Sequence, residues 1–403
     1  MLLAGSFALA QDAPNATAPS APPSAPAEAR LNVLKSEIPY FYSATPKEAV
    51  PLLVVIGPKE EWDLWFKETS ARGWRLAVLP VPPVSEAAVK ACEALLDELR
   101  ARAPYDQRKV YLAGRGDFAS GVFFAVSRAP HLWAAGVAVG GDAKAAVNSD
   151  RLFAANAQLV PILWMVHSSQ RSAVEPVRRK LQAANFPFTF DDAQDPFAFL
   201  SQHSRDEFPA KIDCETGNRL FVRCYWMEAT GIDPSRRNDA IRSTRVTPDL
   251  LASLDLGGFG YQTGKPGPGV LVEWLPPNYS GPLQLNDRIV AISGRPIHDA
   301  REYVEMMQQE RAERPAAIMV ERGKERIRLQ TRVLLPKREE VVTIRMQAEY
   351  LPQSNDLFIV SRGVSEAKIT LPERWVPANI NWNGQPITRL DAAGCYVLSE
   401  GKA

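Results

Sequence analysis

The chain alternates short, almost wholly apolar runs with longer stretches in which apolar side chains recur every three or four positions. The apolar runs are Tyr40–Ala44, Leu52–Gly57, Arg75–Val81, Lys109–Gly114, Ala135–Gly140 and Pro161–His167. Between them Lys59–Arg72, Ser85–Ala103, Phe118–Arg128 and Ala173–Asn185 have helical spacing. Strands that are apolar throughout, alternating with helices, predict an α/β fold: a doubly wound, mainly parallel sheet covered on both faces. Past residue 340 the period changes to two. Val342–Ala348 and Leu357–Ser361 alternate as strands with one buried face, and Asn383-Gly384 between short apolar runs predicts a hairpin turn.

The first ten residues, MLLAGSFALA, are an apolar run ending in Ala8-Leu9-Ala10. That is the pattern of a signal-peptide core and cleavage site, without the basic segment that normally precedes it, which leaves room for a start further upstream. Export to the periplasm, the cell surface or the medium is favoured over a merely apolar terminus. No other stretch approaches the roughly 18–20 apolar residues that span a bilayer. Residues 12–30 hold five prolines and seven alanines. Residues 11–30 therefore read as a disordered linker.

Composition narrows the chemistry. The 403 residues carry 47 basic and 46 acidic side chains, a net charge of +1, so there is no basic excess to grip nucleic acid. Histidine is scarce: His131, His167, His203 and His298 are all there are. Cys92, Cys214, Cys224 and Cys395 form no CxxC pair, so neither a zinc site nor a redox motif is expected, and no cofactor or metal is called for. A two-residue turn at Gly217-Asn218 would set Cys214 opposite Phe221 rather than Cys224, which disfavours a disulfide between the two cysteines. Cys92 shares the apolar face of a helix with Val89, Leu96 and Leu99 and reads as a buried thiol.

The segment YDQRKVYLAGRGDFASGVFFAVSRAPHLWAAGVAVGG, residues 105–141, resembles the nucleophile region of α/β-hydrolases, especially exported esterase and polyester-depolymerase-like members. The strand Val110-Tyr111-Leu112-Ala113, a sharp turn, a helix, then Pro130, Leu132, Trp133 and Ala134-Ala135 keep the family's register. The resemblance implies an α/β-hydrolase-like domain over about residues 31–206. It also implies a degenerate elbow, Gly114-Arg115-Gly116-Asp117-Phe118, with Gly116 where the nucleophile belongs and no side chain to attack a carbonyl. The acid's place after Pro161–Val166 reads His167-Ser168-Ser169-Gln170-Arg171-Ser172, without a carboxylate. The histidine's place after Phe188–Phe190 reads Asp191-Asp192-Ala193-Gln194-Asp195-Pro196, without a histidine. The oxyanion-hole loop reads Ile56-Gly57-Pro58. Stand-ins would have to come from Ser120, His167 or His203. Ser120 should bond back into its own helix, and His167 reads more readily as a hydrogen-bonded structural residue. The tripeptide Arg115-Gly116-Asp117 is accounted for by the turn rather than by receptor adhesion.

GVLVEWLPPNYSGPLQLNDRIVAISGRPIHDAREYVEMM, starting at Gly269, resembles a PDZ domain of the bacterial periplasmic type, spanning residues 245–336. Strands at Gly269–Glu273 and Ile289–Ile292, a helix from Asp299 or Ala300 to about Gln309, and closing strands Ala316–Glu321 and Arg326–Val333 fit that module. Asn286 replaces the family's glycine and tolerates the same turn. The resemblance implies a carboxylate-binding loop at Gly257, Gly258, Phe259 and Gly260, followed by Tyr261. It further implies a strand Phe259–Thr263 that pairs with an extended or C-terminal peptide of a partner protein, and a groove lined by some of Tyr303, Val304 and Met307.

Residues 338–389 resemble the small β-rich module that follows the hydrolase domain in some exported esterases. That module's Tyr-Trp pair is found upstream, at Tyr225-Trp226. Residues 207–244 and 337–403 then form one module with the PDZ-like segment inserted into it, an order favoured over simple tandem domains. Two functions compete: a non-catalytic, exported, hydrolase-like scaffold that binds peptide or protein partners, which is preferred, and a serine-type esterase or peptidase with an unrecognised nucleophile.

Overall fold

An eight-stranded sheet occupies the first half of the computed structural model, which describes residues 25–45, 48–248, 251–336 and 341–399. The expected signal peptide lies outside the described residues. In chain order the strands are β1 (Ala27–Val33), β2 (Ser36–Tyr42), β3 (Val50–Ile56), β4 (Arg75–Leu79), β5 (Tyr105–Arg115), β6 (Ala135–Val139), β7 (Ile162–Met165) and β8 (Thr189–Phe190). Across the sheet they run β1-β2-β4-β3-β5-β6-β7-β8. β1 and β2 are antiparallel to their neighbours, and every pair from β4 to β8 is parallel.

Helices α1 (Glu61–Ala71), α2 (Glu86–Arg102), α3 (Ala119–Arg128), α4 (Lys144–Asn148), α5 (Arg171–Ala183) and α6 (Pro196–Ser201) cover both faces. Alternate residues of one strand serve two cores, as the pleat requires. Leu52, Val54 and Ile56 pack with side chains of α2, α3 and α5, whereas Leu53 and Val55 pack with Trp62, Trp65 and Phe66 of α1 and Phe197 and Leu200 of α6. The expected linker ends too late. Residues 27–30 already belong to β1, an edge strand whose burial is confined to Leu31 and Val33, and its full register with β2 holds it in place. Such an edge strand presents too few buried positions to announce itself against a proline- and alanine-rich background.

Residues 211–232 and 344–399 build two further sheets over one core. Lys211–Thr216 pairs with Ile344–Leu351, and Met227–Ile232 pairs with Val364–Leu371. Trp226, Met346, Trp375 and Trp382 lie among the shared buried residues. Asn383 (φ +49°) and Gly384 (φ +80°) make the expected two-residue turn between Ala378–Trp382 and Gln385–Leu390. The expectation for Cys214 and Cys224 is overturned: they form a disulfide with a Cα–Cα distance of 5.9 Å. Gly217-Asn218 makes no two-residue hairpin. The Asn218 side chain instead caps a short 3₁₀ turn, Arg219–Phe221, and the longer loop carries Cys224 back to Cys214 from the other sheet.

Between these segments, an antiparallel sheet orders Ser253–Leu254, Glu325–Leu334, Arg314–Arg322, Arg288–Ile292 and Val270–Leu271, with α7 (Ala300–Gln309) packed on it. Asn286 takes φ +70°, as a glycine would, and the next residue, Asp287, is buried. Its carboxylate receives Arg322 Nε at 2.9 Å and Arg322 Nη2 at 2.8 Å, a two-pronged charge-assisted pair. No helix among the described residues is long and apolar enough to cross a membrane.

Candidate functional sites

The turn after β5 sits at the carboxyl edge of the sheet, where open α/β sheets place their ligands. β5 runs straight into a 3₁₀ turn at Gly116–Phe118 and then into α3. The reversal is tight: a Cβ on Gly114 would meet the Phe118 carbonyl oxygen at 2.3 Å. Gly116 takes φ +59°, the left-handed backbone expected of an elbow residue, and an added Cβ there would touch nothing within 4 Å. Space for a nucleophile's side chain is thus present, while the side chain is not.

The surroundings are also rebuilt. Arg115 donates to Glu61 from Nε at 3.1 Å to Oε1 and 3.2 Å to Oε2, and from Nη2 at 2.8 Å to Oε1. Trp65 Nε1 donates to Glu61 Oε2 at 3.0 Å. This bonding to Glu61 raises the Arg115 pKa above its ordinary value. Glu61 heads α1 and crowds Gly57, whose added Cβ would lie 3.0 Å from Glu61 Cγ. The Gly57 amide is already engaged with the Leu79 carbonyl at 3.1 Å, and Pro58 has no amide hydrogen. A buried carboxylate, an engaged Gly57 amide and a proline occupy the region from which an oxyanion would be stabilised.

The stand-in residues do not converge on the turn. Ser120 is buried and its hydroxyl donates to the Asp117 carbonyl at 3.1 Å, the back-bond expected from its position in the helix. His167 is exposed, and its Nδ1 lies 2.9 Å from Ser169 Oγ while accepting from the Ser169 amide at 3.4 Å. That distance is what a serine–histidine pair needs, but the two residues are two apart in sequence and form the cap of the 3₁₀ turn that leads into α5. No carboxylate bonds to this imidazole among the described residues. His203 is at the opposite edge. Its carbonyl accepts from the Tyr111 hydroxyl at 3.0 Å and nearby Arg205 donates its amide to Arg108 at the start of β5, so it cannot reach the elbow. Burial lowers the pKa of its ring. The glutamate opposite Arg115 has no sequence signal, because fifty-four residues separate the partners and Glu61, unlike Arg115, lies in no motif.

The second set of candidates clusters around the loop at residue 257. Gly257 (φ +76°) and Gly258 (φ +81°) are exposed and both left-handed. Among the described residues, nothing accepts a hydrogen bond from the amides of Gly257, Gly258 or Phe259. The loop is braced by Tyr279, whose hydroxyl donates to the Leu256 carbonyl at 2.5 Å and accepts from the Leu283 amide at 3.1 Å. The expected strand Phe259–Thr263 is reduced to one bridge: Gly260 donates to the Trp274 carbonyl at 2.8 Å and accepts from Glu273 at 2.9 Å. The physical reason is aromatic packing. Tyr261 meets Tyr303 of α7 edge-on at 5.4 Å, and Phe259 lies 6.4 Å from Tyr303. Tyr303 and Met307 are fully buried and Val304 is half-buried, so the space between loop and helix is filled by the protein's own rings. Burial raises the Tyr303 phenol above its usual pKa. Trp274, more than half exposed beside Gly260, belongs to this surface and has no distinguishing sequence context.

The mixed sheet with its strand–turn–helix elbow at the carboxyl edge defines residues 27–201 as an α/β-hydrolase-like domain. No family model matches the chain, and no curated protein matches it. Solved structures similar in part include an enterobactin esterase from Shigella flexneri (17% identity, 30% of this chain and 38% of that chain, TM-score 0.27). A thermostable esterase (18%, 45% and 63%, 0.34) and a fluorophosphonate-binding serine hydrolase from Staphylococcus aureus (11%, 44% and 97%, 0.33) are further examples. The chain spans less than two thirds of the first two. None of these likenesses bears on what the present chain does.

Proposed function

We propose that the protein is a catalytically silent α/β-hydrolase-like scaffold, exported from the cytoplasm, that captures an extended or C-terminal peptide of a partner through a PDZ-like unit inserted at residues 245–336. The observation that carries the silent reading is the elbow: Gly116 holds the nucleophile's backbone conformation without a nucleophile, and the Glu61–Arg115 pair fills the neighbouring space. Removing a triad nucleophile costs roughly 10⁴–10⁶ in rate. The three unengaged amides at Gly257–Phe259 suit a terminal carboxylate, and exposed Trp274 supplies an apolar platform beside them. Since Phe259, Tyr261 and Tyr303 close the groove on themselves, peptide entry requires those rings to move, and weak binding is expected. The Cys214–Cys224 disulfide supports an oxidising compartment.

Two assays on the purified chain test this. No turnover of short p-nitrophenyl esters and no fluorophosphonate labelling are expected; either activity refutes the silent reading and returns the serine-hydrolase alternative, for which Ser169–His167 is the pair to mutate. On an array of peptide C termini, binders lost on Gly258→Asp are expected. An array with no such binder removes the peptide reading.

A further inference from the structure

At the amino edge of the sheet, opposite the elbow, two adjoining cavities of about 250 and 510 Å³ lie between the hydrolase-like domain and the β-rich sheets. Both are walled by His131, Arg205, Glu207, Arg223 and Glu228. Tyr225 lines the first and Arg128 the second.

The polar groups here are poorly satisfied. Tyr225 Oη, His131 Nδ1, Arg205 Nε, and Arg128 Nε and Nη2 are buried and have no hydrogen-bond partner among the described residues. Tyr225 is 6% exposed and His131 8%. A buried polar group left unpaired costs about 1–3 kcal/mol, and native structures seldom gather several around one space. Arg205 does donate to the His131 carbonyl, but its nearest carboxylate, that of the exposed Glu207, is 3.9 Å away. Arg223 makes one long bond, Nε to the Tyr225 carbonyl at 3.3 Å, and is otherwise exposed to the cleft. Glu228 stands directly across the sheet from Lys368 on one side and from Arg223 on the other, so the cleft wall carries one carboxylate between two cations. Tyr225 also takes φ +53°, a left-handed conformation that a bulky residue rarely adopts and that recurs at binding sites. Burial and the cations Arg223, Arg205 and Lys90 hold the His131 pKa at about 3, so its ring is neutral and offers one N–H.

We infer that this cleft binds a small oxyanion-bearing molecule, a phosphate or carboxylate, clamped by Arg205 and Arg223, with the Tyr225 hydroxyl and the His131 ring completing the polar wall. Guanidinium groups match the paired oxygens of either anion, and the joined cavities reach the range of metabolite pockets. The site is independent of both the elbow and the Gly257 loop.

Thermal unfolding of the full chain tests it, in inorganic phosphate, in succinate, and in sodium chloride at matched ionic strength. Phosphate, succinate or both are expected to raise Tm above the chloride value; a response to one alone identifies the ligand's anionic group. The Tyr225→Phe variant deletes an unpartnered hydroxyl, so in chloride its Tm is expected to hold or rise, while its anion response falls by half or more. Arg223→Gln, at an exposed side chain, is expected to weaken anion affinity about tenfold or more by titration calorimetry. A response no larger than chloride gives, or one that survives both substitutions unchanged, overturns the site.

Discussion

Gly116 shows how much one residue's backbone decides. Its left-handed φ is what an elbow demands, and glycine meets it without strain. Replacing it with serine adds atoms to open space but places a Cβ in a region that disfavours side chains by about 1–2 kcal/mol. Gly116→Ser is therefore expected to fold with Tm lowered by a few degrees, and to remain unlabelled by fluorophosphonate, because no base bonds to that position. A calorimetric scan and a labelling gel check both halves. His131 gives a pH signature at the same scale. Its pKa falls from 6.5 to about 3 on folding, so the unfolded chain binds more protons between those values. Its contribution is complete above about pH 6.5 and is lost as pH falls toward 3, by up to about 1.4 kcal/mol per pH unit. The Tm of the native chain should fall across this window more steeply than that of His131→Gln.

Elements show what the sequence can and cannot announce. The helix expected at Ser85–Ala103 is Glu86–Arg102, with the Ser85 hydroxyl accepting from the Ala88 amide at 3.1 Å, because amphipathic spacing and a cap residue coincide there. Cys92 is buried in it as expected, and burial pushes its thiol up to about 12. α7 is similarly capped by Asp299, which accepts from the amides of Arg301 and Glu302, each at 2.9 Å. Asp299→Ala should cost about 1 kcal/mol and speed amide exchange in α7, with β3 to β6 unchanged in a hydrogen-exchange map. What stayed illegible depended on partners far apart in sequence. β1 is fixed by pairing rather than by pattern, the strand after Gly260 is displaced by Tyr261 and Tyr303 packing, and the Cys214 disulfide turned on a loop conformation that residue type alone left open. The candidate sites divide in the same way. The elbow was visible as a local motif, whereas Glu61, Trp274 and the Arg205–Arg223 cleft are assembled by tertiary contacts.

For the whole molecule, the decisive junction is Glu215. Its carboxylate is buried and accepts from the Thr244 amide at 2.6 Å and hydroxyl at 3.0 Å, from the Thr343 hydroxyl at 2.6 Å, and from Arg362 at 3.1 Å. Its own backbone is gripped by Asn156 of the hydrolase-like domain, the Asn156 Oδ1 accepting from Glu215 N at 2.6 Å and Nδ2 donating to Glu215 O at 2.9 Å. Thr244 and Thr343 flank the segment that carries the 253–334 sheet, so one carboxylate ties both of its ends to the sheets on either side. Breaking a buried ion pair from one partner typically costs about 3–5 kcal/mol, since the other charge is left without compensation. Glu215→Gln keeps the shape and removes the charge, leaving the partly exposed Arg362 beside a neutral amide. Because Arg362 keeps some contact with water, the expected result is a loss at or below the lower end of that range in denaturant unfolding, with faster amide exchange at Thr244 and near Thr343 and little change within α7. If exchange rises uniformly across the chain instead, Glu215 stabilises the molecule as a whole and does not act as the clasp of this junction.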